Sequence, residues 1–373
     1  MSGFIKPGLS AGMAYGNGGN QSVIDRVLPD MLEMTPKYWH QFPALNPIWQ
    51  QVLGSLVMVL CCISLTGNSM VMYIFATTKS LRTPSNLFII NLAFFDFCMM
   101  FFMAAPMAIN SYYGTWIFGP MACDIYGAIG SLCGCGSIYT MTMIAFDRYN
   151  VIVKGLSAKP LTIAGALHRI FWIWALSLAW TITPFFGWGK YSPEGNLTAC
   201  GTDYLAKDFS SRSYVFIYSV GSWAVPLVLI CYSYYYILSA VSAHEKNMRE
   251  QAKKMNVASL RSSDNQNTNA EAKLAKVALM TISLWFMAWT PYLVINVVGV
   301  FELPILTPLF TIWGLIFAKA NSVYNPIVYA ISHPKYRAAL NERFPKLFSE
   351  KTKATLTSDA TSATTAVSSE ERA

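Results

Sequence analysis

Long runs of uncharged, mostly apolar residues alternate with short polar segments along the chain. A helix needs about 20 such residues to cross a lipid bilayer. Seven candidate runs cover residues 52–78, 87–109, 125–146, 170–186, 214–241, 277–300 and 303–331, the second broken by Asp96 and the seventh by Lys319. The fourth is short and is expected to begin earlier, near Leu161. The pattern predicts an all-α fold, a seven-transmembrane helix bundle.

The hydropathy pattern divides the chain into four segments. After the last run, Tyr336, Leu340 and Phe344 follow Pro334 at fourfold spacing, which is typical of a short amphipathic helix lying on the membrane surface. The tail beyond it is rich in Ser, Thr and Ala. We therefore predict an extracellular N-terminal segment over 1–50, a seven-helix transmembrane domain over 51–332, the surface helix over 333–348 and a disordered cytoplasmic tail over 349–373.

The distribution of basic residues orients the bundle. Of 27 Lys and Arg residues, six lie in the N-terminal segment and the loops on its side, and twenty lie in the opposite loops and the C-terminal tail. This asymmetry places the N-terminus outside and the C-terminus in the cytoplasm. The net charge of +8 is spread over several short loops, so we expect membrane lipid but no nucleic acid as a partner.

Modification sites and cysteines fit this topology. Asn20 begins an Asn-Gln-Ser sequon on the outer side, where glycosylation is expected. Of the eight cysteines, six fall inside the runs, where small apolar packing is the ordinary role. Cys123 and Cys200 lie on the outer side, where an oxidising compartment makes a disulfide plausible. No Cys or His spacing suggests a metal site.

Several polar residues interrupt the apolar runs at a cost. Asn68, Asp96 and Asn325 should face the bundle interior, either as structural hydrogen bonds or as a polar network that can switch. At the inner end of the third run, Arg148 beside Asp147 is either an interface anchor or, with Glu271 at the inner end of the sixth span, an ion-paired latch.

Lys319 is the most costly of these residues. A charged side chain near the middle of a membrane helix costs at least about 2.5–3.5 kcal/mol. No acid in its own run can pair with it, and it lies far from both ends of that run. Desolvation can keep such an amine neutral, and a neutral amine is a nucleophile. The position therefore indicates a covalent binding site more than a lysine that reaches the interface.

Landmarks in all seven runs resemble those of the rhodopsin-like (class A) G-protein-coupled receptors. They are Asn68, "NLAFFD" ending at Asp96, "DRY" at 147–149, Trp174, Pro226, "WTPY" at 289–292 and "NPIVY" at 325–329. Within that family, a lysine seven residues before the Pro of the last motif, here Pro326, marks opsins. The stretches "LWFMAWTPYLVIN" and "SHPKYRAAL" are most similar to arthropod visual opsins, especially the insect long-wavelength class.

The resemblance implies a retinal site. Lys319 would hold 11-cis-retinal or 3-hydroxyretinal as a protonated Schiff base. Tyr126 occupies the position of the counterion of many opsins, so the implied counterion is Glu194, on a loop held to the third run by a Cys123–Cys200 disulfide. Asn196, which begins a second sequon, would lie beneath that loop and is not expected to be glycosylated. Further residues match pocket positions of the family: Gly134, Trp289 and Tyr292.

The resemblance also implies a signalling output. Light would open the latch of Asp147, Arg148 and Glu271, and Tyr234 and Tyr329 would turn inward to stabilise the open form. The implied partners are a heterotrimeric G protein of the Gq type, a receptor kinase and arrestin. The implied location is the plasma membrane of photoreceptor cells, in rhabdomeric microvilli.

Other functions compete with a visual opsin. A retinal photoisomerase, an enzyme, would keep Lys319 but need no transducer surface; we expect a receptor and no enzyme. An amine receptor would want an Asp at position 130, which is Gly. A proton pump needs a relay of carboxylates, and the runs contain almost none. Departures from the insect pattern, at Tyr139 in place of Trp and over residues 221–225, affect the shape of the pocket.

Overall fold

The computed structural model describes residues 22–254 and 263–345, and its backbone is almost entirely helical. The main elements are α1 (Pro47–Thr77), α2 (Asn86–Tyr113), α3 (Pro120–Tyr149), α4 (Ile163–Ile182), β1 (Tyr191–Glu194), β2 (Ala199–Thr202), α5 (Phe209–Ser219), α6 (Val225–Lys254), α7 (Ser263–Val300), α8 (Pro308–Ser332) and α9 (Pro334–Arg343). Short 3₁₀ turns occupy Val23–Arg26, Pro29–Met31, Lys37–Gln41, Lys79–Leu81, Gly155–Ser157 and Thr183–Phe186, and π turns occupy Asn150–Lys154 and Val220–Ala224. The predicted all-α bundle is confirmed.

Within the described residues, six helical segments are long and apolar enough to cross a membrane: Pro47–Thr77, Asn86–Tyr113, Pro120–Lys154, Ile163–Phe186, Phe209–Gln251 and Ala270–Val300. The seventh expected span, α8, is not among them. Lys319, Asn321, Ser322 and Asn325 lie in its middle and lower its mean hydropathy. These side chains are buried, and α8 packs against α1, α2 and α7, so the bundle rather than lipid surrounds them.

Local capping fixes where the helices begin. The side chains of Asn46, Thr162, Asp208 and Thr307 each accept a hydrogen bond from a backbone N–H in the first turn of the following helix. The Thr162 cap explains why α4 begins at Ile163 and not at Leu161, because the capping residue itself has extended backbone angles.

The fifth span is divided by the π turn over Val220–Ala224, so α5 and α6 form one interrupted helix that continues to Lys254. Pro226 follows two residues after the turn. Because proline has no N–H, it cannot donate a hydrogen bond to the preceding turn of the helix.

A buried β-hairpin covers the end of the bundle on the side of the N-terminal segment. β1 and β2 pair antiparallel, with Pro193 opposite Cys200, and all eight strand residues are buried. Cys200 forms a disulfide with Cys123 near the start of α3, with a Cα–Cα distance of 5.4 Å. At the tip of the hairpin, Asn196 is buried and donates from Nδ2 to Gln50 Oε1 on α1 at 2.6 Å.

At the opposite end, α9 turns away from α8 and packs against α1. Tyr336 stacks on Phe75 with 5.5 Å between ring centroids, and Leu340 is buried beside it. The helix ends at Arg343, short of the expected range to 348, because Pro345 disfavours helical backbone at Phe344. Asn20 and the predicted tail over 349–373 lie outside the described residues.

Candidate functional site

The first of two neighbouring cavities lies beneath the hairpin, between α3, α7 and α8. Its empty volume is about 470 Å³. Lining residues come from six elements and include Met99, Met103, Gly127, Gly130, Ser131, Cys200, Gly201, Thr202, Leu315, Ala318 and Lys319. The disulfide brings β2 onto α3, so the hairpin forms the roof of this cavity.

Lys319 places a buried amine at the wall of this cavity. Its side chain comes from the middle of α8, and the residue is only 4% exposed. Nζ lies 5.6 Å from the ring centroid of Tyr126, whose hydroxyl donates to the Met103 carbonyl at 3.3 Å. Among the residues that the structure describes, no carboxylate forms an ion pair with this amine. The amine is therefore available to a ligand that enters the cavity.

Glu194, the last residue of β1, lies beneath the hairpin beside the same cavity. It is 1% exposed, and its Oε1 accepts a hydrogen bond from the Tyr292 hydroxyl at 2.8 Å. Its Oε2 is buried and has no hydrogen-bond partner in the described residues. Burial raises the pKa of Glu194 to about 8, although the Tyr292 hydrogen bond and the charge of Lys319 favour the ionised form. A cation held next to it would stabilise the carboxylate.

Gly201 leaves the space that the side chains of Glu194 and Tyr292 occupy. The sequence did not predict this role. A Cβ atom at position 201 would come within 2.6 Å of Glu194 Cδ and 2.5 Å of Tyr292 Oη. Gly201 is opposite Ser192 in the hairpin, so its closeness to Glu194 depends on the strand register. Only the position directly after Cys200 could have indicated it in the sequence.

The second cavity continues from the first toward the π turn of the fifth span. It has an empty volume of about 450 Å³ and shares Tyr218, Trp289 and Tyr292 with the first. Its other lining residues are Gly134, Cys135, Ser219, Ser222, Trp223, Trp285, Leu293 and Asn296. Together the two cavities form an elongated site that begins at Lys319 and ends at Trp223.

The predicted pocket residues meet in the middle of this site. A Cβ atom at Gly134 would lie 2.6 Å from Trp289 Cη2, so the missing side chain gives the indole its place. Trp289 in turn stacks on Trp285, with ring centroids 5.4 Å apart. Tyr218, Trp223 and Trp285 were not singled out from the sequence, because aromatic residues in a membrane span are ordinary packing residues.

The shape and chemistry of the site fit retinal. An elongated, mostly apolar ligand with an aldehyde at one end needs a narrow cavity with a nucleophile at the matching end. Lys319 supplies that amine, Gly134 lets the Trp289 indole pack against α3, and the unpartnered Oε2 of Glu194 supplies an acceptor for positive charge.

The predicted polar network lies between this site and the opposite end of the bundle. Asp96 accepts hydrogen bonds from Asn325 Nδ2 at 2.7 Å and Ser137 Oγ at 3.3 Å. Among the described residues, the Asn68 side chain has no hydrogen bond to Asp96; its Nδ2 donates to the Ser322 carbonyl at 2.8 Å. The network thus joins α2, α3 and α8 directly, and α1 through the backbone of α8.

The predicted latch residues are adjacent at the far end of the bundle. Arg148 contacts Asp147 through Nη2 and Glu271 through Nη1, each at 2.5 Å, which links α3 to α7.

Tyr234, Tyr329 and Pro326 have contacts outside the group of Asp147, Arg148 and Glu271. The Tyr234 hydroxyl donates to the Ala275 carbonyl at 2.9 Å. Tyr329 packs edge-on against Phe75, with 6.2 Å between centroids. Pro326 lies against Gly67, where a Cβ atom would be 2.9 Å away.

Comparison with known proteins supports the same assignment. The family model described as 7 transmembrane receptor (rhodopsin family) matches residues 67–329. The chain is 68% identical over 335 residues to a rhodopsin of Cataglyphis bombycina, with 90% of this chain and 89% of that protein covered. It is 64% identical over 353 residues to the long-wavelength rhodopsin of Apis mellifera, with 95% and 94% covered.

A solved structure also matches. The crystal structure of squid rhodopsin aligns with a TM-score of 0.78 at 38% identity, covering 84% of this chain and 90% of that one. Family membership implies a multi-pass membrane protein with a retinal chromophore and a G protein as partner. The chain therefore belongs to the rhodopsin family of seven-transmembrane receptors, as a light-sensing G-protein-coupled receptor.

Proposed function

We propose that this receptor is a visual opsin in which Lys319 binds retinal covalently, as a protonated Schiff base. The observation that carries the proposal is the buried Lys319 amine, which has no ion-pair partner among the described residues and lines an elongated cavity. Condensation of this amine with an aldehyde forms a C=N bond and releases water. The resident form is 11-cis-retinal or 3-hydroxyretinal.

Residues around the amine would stabilise the charge of the protonated linkage. Glu194 acts as the main counterion, and the Tyr292 hydroxyl holds its Oε1 in place. Tyr126 lies beside Lys319 Nζ and supplies an aromatic ring rather than an anion. The disulfide between Cys123 and Cys200 keeps the hairpin, and with it Glu194, over the cavity.

When bound, the chromophore supplies photoisomerisation, a change of shape that needs no diffusion step. Trp289 lines the site two residues before Pro291, a kink at which α7 can swing. We propose that displacement of α7 separates Glu271 from Arg148, and that Tyr234 and Tyr329 then turn inward. The equilibrium between the closed and open forms is what light would shift.

The open face is proposed to bind a heterotrimeric G protein of the Gq type, and a receptor kinase and arrestin would act on the Ser/Thr-rich tail. The asymmetry of basic residues supports an extracellular N-terminus and a cytoplasmic C-terminus, in the rhabdomeric plasma membrane of photoreceptor cells. The Arg148–Glu271 pair favours a receptor over a retinal photoisomerase, because an isomerase needs no such latch.

The decisive experiment is chromophore attachment with Lys319→Ala. Purified wild-type protein, incubated with 11-cis-retinal in the dark and then reduced with borohydride under illumination, should carry retinal on the peptide containing Lys319. Lys319→Ala should lose the label, whereas Lys190→Ala, a change at an exposed lysine, should retain it. A label elsewhere, or labelling of Lys319→Ala, contradicts the proposal.

Output is tested separately from attachment. Illuminated pigment should accelerate nucleotide exchange on a Gq-type G protein. If the illuminated protein releases isomerised retinal but accelerates nucleotide exchange on no Gq-type protein, the receptor assignment fails and the photoisomerase alternative takes its place.

A further inference from the structure

Tyr139 joins three separate elements beside the chromophore cavity. Its ring lies on α3, its hydroxyl donates to the Gly221 carbonyl at 3.2 Å, and the same hydroxyl accepts from Trp180 Nε1 at 2.8 Å. Gly221 belongs to the π turn of the fifth span, and Trp180 belongs to α4. One phenol oxygen therefore connects the third, fourth and fifth spans.

The hydrogen bond to Gly221 satisfies a carbonyl that the backbone cannot satisfy. In a π turn, each N–H bonds to the carbonyl five residues before it. The Val225 N–H follows this rule and bonds to the Val220 carbonyl. The next donor, which would serve the Gly221 carbonyl, is residue 226, and Pro226 has no N–H. The Tyr139 hydroxyl takes the place of that missing donor.

Trp180 fixes the same turn from the other side. A Cβ atom at Gly221 would lie 2.6 Å from Trp180 Cζ2, so the indole can approach only because position 221 is glycine. The indole N–H then donates to Tyr139 rather than remaining unpartnered. The hydroxyl and the indole together hold the turn in its π form.

The π form decides which side chains reach the cavity. One extra residue in a helical turn rotates everything beyond it by about 100°. Ser219, Ser222 and Trp223 line the second cavity at the end remote from Lys319. Trp223 also packs edge-on against Phe286 of α7, with 5.4 Å between centroids. If the turn relaxed toward a regular α-helix, Ser222 and Trp223 would rotate away from the site.

We propose that Tyr139 is a positioning residue that sets the end wall of the chromophore cavity, and through that wall the absorption maximum of the pigment. The inference rests on the proposed binding of retinal at Lys319. A retinal aldehyde attached there directs its ring toward the second cavity. A protonated chromophore has a delocalised charge, so its absorption responds to the hydroxyl and indole dipoles that the turn presents.

The test compares Tyr139→Phe with a matched loss of a hydroxyl. Tyr214 lies on α5 and donates to the Trp180 backbone carbonyl at 3.1 Å, but it does not line either cavity. Wild-type, Tyr139→Phe and Tyr214→Phe proteins are regenerated with 11-cis-retinal, and the dark spectrum, the rate of retinal uptake and the thermal midpoint are recorded. Both variants should lose stability, and Tyr139→Phe should lose more, because the Tyr139 hydroxyl takes part in two of the hydrogen bonds described above and the Tyr214 hydroxyl donates one.

Of the two hydroxyl variants, Tyr139→Phe alone should shift the absorption maximum and slow retinal uptake. Trp180→Phe, which removes the indole donor and leaves the phenol, should shift the maximum in the same direction by a smaller amount and decides the matter if Tyr139→Phe does not fold. If the wild-type protein forms a pigment and these variants have the same absorption maximum and the same rate of retinal uptake, this inference alone is overturned. Failure of the wild-type protein to form any pigment overturns the proposed function, and this inference with it.

Discussion

Tyr292 donates a hydrogen bond to Glu194 across 2.8 Å, which ties the helix α7 to the hairpin that covers the cavity. Tyr292 follows Pro291, so the contact lies next to the place where α7 can bend. A swing of α7 therefore changes the partner of the carboxylate at the same time as it moves the far end of the helix. The proposed counterion and the proposed latch are consequently connected by a single helix.

Replacing Glu194 with Gln should lower the pKa of the proposed protonated linkage at Lys319, because loss of an anion disfavours a nearby cation. The measurement is a titration of the dark visible spectrum against pH. Asp203→Asn, a change at a carboxylate just after β2, should move the titration much less, since Asp203 does not line the first cavity. Equal titration of the wild-type and Glu194→Gln pigments would show that Glu194 is not the counterion.

The retinal-free protein should lose stability as the pH rises. Burial raises the pKa of Glu194 from 4.5 to about 8 in the folded state. Between these two values the folded protein keeps a proton that the unfolded chain releases, so the free energy of unfolding falls with increasing pH and levels off above about 8. Thermal unfolding of retinal-free protein across this window measures the effect.

Glu194→Gln is the control for that pH dependence. An amide does not titrate in this range, so the variant should show a flatter profile and exceed the wild-type protein in stability at the alkaline end. Parallel profiles would mean that Glu194 is not protonated in the folded retinal-free state.

Loss of the disulfide should reduce the amount of folded receptor. Removing a native disulfide commonly costs about 2–5 kcal/mol. Cys123→Ala and Cys200→Ala should therefore each lower the yield of retinal-binding protein, and the double variant should be no worse than either single one. Cys61→Ala, at a free buried cysteine, is the matched control. Normal yield and spectrum in all three disulfide variants would make the bridge dispensable.

Glu271→Gln should raise signalling in the dark. The change keeps the size of the side chain but removes one of the two charges that hold Arg148. A partly exposed ion pair contributes about 0.2–1 kcal/mol, so the open population should rise by up to about fivefold. The measurement is nucleotide exchange on a Gq-type G protein without illumination.

Glu302→Gln provides the control for this prediction. Glu302 also pairs with basic residues, Lys207 and Arg212, but at the other end of the bundle. Its loss should leave dark exchange unchanged. Equal dark activity of the Glu271→Gln and wild-type proteins would argue against a latch that depends on this pair.

The sequence was most informative for residue types that have a high free-energy cost in lipid. Lys319, Asp96 and Arg148 were identified because charge stands out in apolar runs, and all three are buried in the structure. The number of spans followed from the same physics. The exact start of α4 did not, since it depends on the Thr162 cap.

The wall of the cavity was much harder to predict. Trp223 and Trp285 are aromatic residues, which are common packing residues in membrane spans. The sequence alone therefore does not distinguish residues that line the cavity from residues that pack in the core. Gly201 depends on the register of a hairpin whose pairing is visible only in three dimensions. Tyr139 was noticed as a departure from the insect pattern, but its bond to Gly221 depends on a π turn that hydropathy does not show.

The buried hydrogen bond between Asn196 and Gln50 has a consequence for biosynthesis. Asn196 begins a sequon, and the nitrogen that a glycan would occupy is the one that donates to Gln50 inside the closed hairpin. A sugar transferred to that nitrogen would exclude α1 from its place, and once the hairpin has closed no transferase can reach the site. The sequon over residues 196–198 can therefore accept a sugar only in the nascent chain. Any glycan found on Asn196 would mark molecules that were modified before the hairpin closed.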